Sequence, residues 1–291
     1  MKAALPKGVW SAVLTPVDTQ LRPDSPKAIE YYDWLLREGI DGLNVLGTNG
    51  EAPSFGTDQR RRFMEAIAQS GLPLDRMMVG TGATALEDTV LLSQTAIDCG
   101  FAAALVMPPF FFRETSDEGV VAFFAALLAR LADPARRLVL YNFPAASGVT
   151  FHAALVDRLN AEFPGVFAGM KDSSNSSQLQ RDVLSRHSDF AVFPSSEEFL
   201  AAARVSGASG CISGSVALWP QLAQQVWKTG RGADELANLR RSVAGPRMLV
   251  RVRYLTSRMR GDDAWERPMP PLTPLTADEK GALESAVSRC A

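Results

Sequence analysis

Short apolar runs alternate along the chain with longer stretches in which apolar residues recur every three or four positions. The runs cover 9–14, 42–47, 77–82, 103–107, 138–143, 166–171, 190–194 and 208–213. Their length and uninterrupted apolar character predict strands covered on both faces. Between them, spacings such as Ile29, Tyr32, Leu36 and Phe63, Ile67 predict helices. Thr84 with Glu87, and Ser195 with Glu198, have capping-box spacing, while Gly39, Gly71 and Gly100 stand where a left-handed residue ends a helix. Strands separated by helices imply parallel pairing through right-handed crossovers. Eight such units by residue 215 predict closure into a (β/α)8 TIM barrel. The rival, an open doubly wound sheet, usually has fewer units and a glycine-rich first turn; here that turn is Thr15-Pro16-Val17-Asp18.

Past residue 213 the rhythm changes. Residues 217–230, 233–244, 247–260 and 276–289 read as helices with no further strand. Gly245-Pro246 should break the second from the third, Thr276 with Glu279 is another capping box, and 267–274 is a proline-rich extended connector. The expected division is a barrel over 1–220 and a C-terminal helical region over 221–291.

Composition adds exclusions. The formal charge is −2, from 30 basic and 32 acidic groups, so no strong field points to nucleic acid or an anionic membrane. The three cysteines are distant and form no CxxC pair, which suits reduced thiols in a cytoplasm. No signal-like segment opens the chain, and no apolar run approaches the roughly 20 residues of a membrane span.

Barrel chemistry sits where strands end at the C-terminal face. Of six lysines, only Lys171 ends an apolar strand. A desolvated barrel mouth should lower its pKa and supply the neutral amine that an imine needs; the alternative is a strand-end lysine reaching solvent. Gly169, on the same side of the strand, could leave space for a substrate carbonyl. Tyr141 ends the preceding strand within reach of Lys171 and could move protons, or could simply pack. Gly47-Thr48-Asn49-Gly50-Glu51 could cradle a carboxylate through backbone N–H groups and side-chain donors, or be a capped turn. Residues 80–85 match GxGxxA, but after the third strand, where a tight barrel turn explains them better than a dinucleotide site. His152 and His187 lie in predicted helices without ligand spacing, so neither a metal nor another cofactor is expected. The run Met107-Pro-Pro-Phe-Phe-Phe112 suits core or subunit packing, or a wall of the site.

Gly47-Thr-Asn-Gly-Glu51, Tyr141-Asn-Phe-Pro144 and Gly169-Met-Lys-Asp172 together resemble the N-acetylneuraminate lyase/dihydrodipicolinate synthase family. Ala12-Val-Leu-Thr-Pro16, Gly80-Thr-Gly82 and the connector from Pro268 to Thr276 extend the likeness over nearly the whole chain. The resemblance implies a class I, pyruvate-dependent aldolase or lyase, usually a homotetramer. It implies that Lys171 forms the Schiff base, Tyr141 transfers protons, Thr48 and Asn49 hold the 2-keto acid's carboxylate, and Ile212 is a backbone contact. Asn49 replaces a hydroxyl residue common in the family, and Ser196 a common glycine. Dihydrodipicolinate synthases carry an arginine at the position of Ala146, and bring a tyrosine across the subunit interface where this chain has Phe110-Phe111-Phe112. Small residues at Ala145 and Ala146 suit an uncharged sugar-acid tail or an aryl group.

The expected activity is C–C bond cleavage or formation on a 2-keto-3-deoxy sugar acid or a similar substrate. A dehydratase that keeps the imine but eliminates water, a dihydrodipicolinate synthase, and a non-catalytic 2-keto acid sensor stand as alternatives. Product analysis separates the first two, and binding without imine formation would mark the sensor.

Overall fold

Each of the eight apolar runs forms a strand in the computed structural model, which describes residues 5–135, 137–174 and 176–290. They are β1 (Gly8–Ala12), β2 (Gly42–Val45), β3 (Met77–Gly80), β4 (Ala103–Val106), β5 (Leu138–Asn142), β6 (Phe167–Asp172), β7 (Ala191–Pro194) and β8 (Gly210–Ser213). The hydrogen-bonded order is β7-β6-β5-β4-β3-β2-β1-β8, and every pair is parallel. The Ser209 amide, one residue before β8, donates to the Val192 carbonyl of β7 at 2.8 Å and brings the sheet's two ends together. This is the (β/α)8 barrel that the alternation predicts.

Successive residues of a strand face opposite sides. Val9, Leu43, Val45, Val79, Leu140 and Val192 face the surrounding helices. Trp10, Met78, Leu105, Val139 and Phe193 fill the interior. Trp10 and Phe193 meet edge to face with ring centroids 6.0 Å apart, so the barrel holds a packed core rather than a pore. The same period of two carries Tyr141, two residues beyond Val139, onto the inner face.

The helix Pro220–Thr229 packs against the helix Leu200–Ser206 and β1. Three more follow: Ala233–Val243, Met248–Arg260 and Ala277–Ser288. The break expected at Gly245-Pro246 is present, with Gly245 at φ 112°. The Thr276–Glu279 capping box forms, its two hydrogen bonds measuring 3.3 and 2.8 Å. Val243, Val250, Tyr254, Leu275 and Leu283 make a core of their own here, while Val252 and Trp265 join that of the barrel.

Several local expectations need correction. The helix after β3 begins at Leu86, and Thr89 Oγ1 accepts the Ala83 N–H at 3.1 Å in place of a Thr84–Glu87 box. After β7 it is Ser196, not Ser195, whose hydroxyl accepts the Glu198 N–H, at 3.3 Å. His152 and His187 stand at helix ends rather than inside helices: His152 caps Ala153–Glu162, and His187 follows Ser177–Arg186 with Nε2 2.7 Å from Asp157 Oδ1. No helix among the described residues is long and apolar enough to cross a membrane.

Candidate active site

Strand register decides what meets at the barrel mouth. Tyr141 of β5 pairs with Lys171 of β6, and the next pair is Asn142 with Asp172. Alternation turns the first pair inward and the second outward. In the outer pair, Asn142 Nδ2 donates to Asp172 Oδ1 at 2.7 Å. Gln180 Nε2 donates to Asp172 Oδ2 at 2.8 Å, and the Phe151 amide to Asn142 Oδ1 at 3.1 Å. The buried Asn142–Asp172 bond ties the two strand ends together, and the other two hold its partners in place, which fixes the inner pair. Asn142 and Asp172 belong to the two motifs that carry the family resemblance, but nothing in the sequence marks the bond between them.

In the inner pair, Lys171 is 3% exposed and its Nζ lies 4.6 Å from the centre of the Tyr141 ring. Tyr141 stacks on Phe143 and shares a 3.0 Å hydrogen bond with Thr48 Oγ1, in which either hydroxyl can donate. Thr48, Asn49, Tyr141, Lys171 and Ile212 all line one cavity of about 220 Å³. The five residues singled out in the sequence thus converge. Three come directly from strands and two from the turn after β2.

That turn differs from a glycine nest. Its left-handed residues are Leu46 and Glu51, both at φ 51°, rather than Gly47 or Gly50. Gly47 answers to crowding: a Cβ there would lie 2.6 Å from Asn44 Nδ2. Gly214, just past β8, makes room for Asn49 in the same way, since a Cβ would fall 1.2 Å from Asn49 Nδ2. Gly169 does not open space for a substrate. A Cβ on it would sit 2.3 Å from the Ala191 carbonyl oxygen, so close approach of β7 takes up the room.

The aromatic run after β4 divides. Met107 and Phe110 line an apolar pocket that adjoins the cavity and shares Thr48 and Tyr141 with it. Phe111 and Phe112 turn outward and are 75% and 77% exposed. The cavity wall also holds Ser173, Ser195 and Ser196, hydroxyls that a reading of strand ends could have found. Arg240 and Met248 reach it from the C-terminal helices, where no local pattern announces them. No group of three His, Cys, Asp or Glu side chains among the described residues could hold a metal ion.

A screened primary amine beside a phenol, at the C-terminal mouth of an eight-stranded parallel barrel, defines an aldolase-type lyase. The chain belongs to the Dihydrodipicolinate synthetase family, whose sequence pattern matches residues 5–290. It is 32% identical to an uncharacterized DapA-like lyase of Chloroflexus aurantiacus, over 98% of this chain and 97% of that one. It is 29% identical to the L-threo-3-deoxy-hexylosonate aldolase of Hypocrea jecorina, over 77% of this chain and 75% of the other. The crystal structure of dihydrodipicolinate synthase from Agrobacterium tumefaciens superposes with a TM-score of 0.92 at 28% identity, covering 97% of this chain and 99% of that chain.

Proposed function

We propose that this chain is a Schiff-base aldolase that cleaves or forms the C–C bond of a 2-keto-3-deoxy sugar acid, with pyruvate as product or substrate. The observation that carries the reading is the Lys171–Tyr141 pair, inward-facing and in register, with the phenol hydrogen-bonded to Thr48. The likeness to a 3-deoxy-hexylosonate aldolase supports the substrate class.

In this reading the Lys171 amine adds to the C2 carbonyl, and the carbinolamine loses water to give an iminium. For cleavage, a base takes the proton from the C4 hydroxyl. The C3–C4 electron pair moves into the iminium, leaving an enamine and releasing an aldehyde. Protonation of the enamine at C3 and hydrolysis then return pyruvate and the free amine. Tyr141 is the proton carrier, and its bond to Thr48 gives it a second hydroxyl through which to relay the proton. Thr48 and Asn49 hold the C1 carboxylate, and the backbone at Ile212 borders the keto acid. The proposal includes a cytoplasmic homotetramer, in keeping with three free thiols and the outward-facing Phe111 and Phe112 as a subunit contact.

Borohydride reduction in the presence of pyruvate tests the reading. Peptide mass mapping should find one reduced pyruvate on the peptide bearing Lys171, and Lys171→Ala should trap none. An adduct on another lysine, or near-normal turnover by Lys171→Ala, would end the proposal. Recovery of pyruvate plus an aldehyde, without a dehydrated keto acid, identifies the aldolase outcome.

A further inference from the structure

Among the described residues lining the Lys171 cavity, Arg240 is the other cation, and there is no Asp or Glu. It belongs to the helix Ala233–Val243, and its side chain is 16% exposed. Its Nε lies 3.6 Å from Glu197 Oε2, beyond hydrogen-bonding reach, and neither Nε nor Nη1 has a hydrogen-bond partner. Glu197 is buried and accepts the Ser215 hydroxyl at 2.5 Å through its other oxygen. Glu197 therefore balances the guanidinium's charge while leaving these N–H groups unused. Buried donors without acceptors are costly, and a guanidinium fork matches carboxylate and phosphate oxygens. The remaining wall is rich in hydroxyls, from Ser173, Ser195 and Ser196.

We infer that Arg240 binds an anionic group, carboxylate or phosphate, on the tail of the substrate, distal to the 2-keto acid. The substrates of this chain are then 2-keto acids with a second negative charge. This rests on Lys171 as the imine-forming amine. It also reverses the uncharged tail that Ala146 alone implies: the cation lost from the segment after β5 is supplied from the C-terminal helices.

The test compares 2-keto acids that differ only in tail charge, each trapped with borohydride on the full-length chain. One pair is 2-oxoadipate and 2-oxohexanoate. The other is 2-keto-3-deoxygluconate with and without a 6-phosphate. The charged member of at least one pair should reach half-maximal trapping at Lys171 at a concentration lower by about tenfold or more. Which pair shows it separates carboxylate from phosphate. Arg240→Met should erase the preference and leave pyruvate and the neutral members within about threefold, and Arg240→Lys should restore part of it. Arg240→Gln, which keeps polar donors at the site, guards against misfolding of the methionine variant and should also lose the preference. No preference in either pair, a preference that survives both neutral variants, or a raised pyruvate requirement would overturn the assignment. A wild type that traps no pyruvate at Lys171 would instead remove the reading beneath it, and Arg240's role with it.

Discussion

Arg253 and Glu51 form a buried ion pair that ties the C-terminal helices to the turn carrying Thr48 and Asn49. Their side chains are 0% and 2% exposed, and Arg253 Nε donates to Glu51 Oε2 at 2.7 Å. Arg253 also donates to the carbonyls of Thr15, at 2.8 Å, and Trp265, at 3.1 Å. Glu51 Oε1 accepts the Met269 amide at 2.8 Å. Burial lowers the Arg253 pKa, against which Glu51 acts to hold the charge. Glu51 stands in a left-handed conformation three residues after Thr48, so this network sets the geometry of the turn.

Removing one partner should leave the other charge buried and uncompensated. Arg253→Met or Glu51→Gln should each cost about 3–5 kcal/mol of stability, read as a lower urea midpoint. Pyruvate trapping at Lys171 should weaken as well, because the turn loses its anchor.

Tyr141→Phe should slow turnover by roughly 10²–10⁴-fold, the usual worth of a positioned proton carrier. Thr48→Val should slow it less. If the two hydroxyls form one relay, the double variant should be no slower than Tyr141→Phe alone. Values of kcat at saturating substrate for the four forms check this, since the loss of a carboxylate contact at Thr48 then falls on KM, and additive losses in kcat would refute a shared path.

Gly214→Ala should push the Asn49 amide aside, because the new methyl would overlap Asn49 Nδ2. The pyruvate concentration for half-maximal trapping should rise by up to about 100-fold, as displacements near 1 Å in an active site can cost. The shorter side chain of Asn49→Thr, added to Gly214→Ala, should recover part of the loss. Failure of that rescue would mean the glycine serves the backbone instead.

Lys27 Nζ meets Asp262 Oδ2 at 2.5 Å, joining the first helix to the segment before the connector. The Lys27 ammonium and the Ala264 amide hold the Asp262 carboxyl below the usual carboxylate range. A depressed carboxylate lends stability above its unfolded pKa of about 3.9, and that contribution is lost as pH falls through its folded value. Wild type should therefore melt above Asp262→Asn near neutral pH, and the two curves should converge below about pH 4.

The barrel was legible because strands covered on both faces leave unbroken apolar runs, and helices between them force parallel pairing. Lys171 and Tyr141 were legible because parallel register and a period of two put neighbouring strand ends on one inward face. Local capping signals were less dependable. Thr276 caps as its spacing implies, whereas Thr84 and Ser195 yield to neighbours that the tertiary structure places better. Gly169 misled because a missing side chain marks close approach by something, and the sequence does not say whether that is a ligand or the next strand. Arg240 and Met248 were invisible. Their arrival depends on how the helices Ala233–Val243 and Met248–Arg260 fold back to the cavity, which no spacing within those helices encodes.

Trp10 and Phe193 close the barrel's interior by packing on each other, so the cavity at Lys171 does not run on through the barrel as a channel. In the proposed chemistry, the keto acid must be aboard before its aldehyde partner can follow. On cleavage the aldehyde leaves while its other half is still tethered, so the covalent anchor in a closed interior dictates the order of traffic.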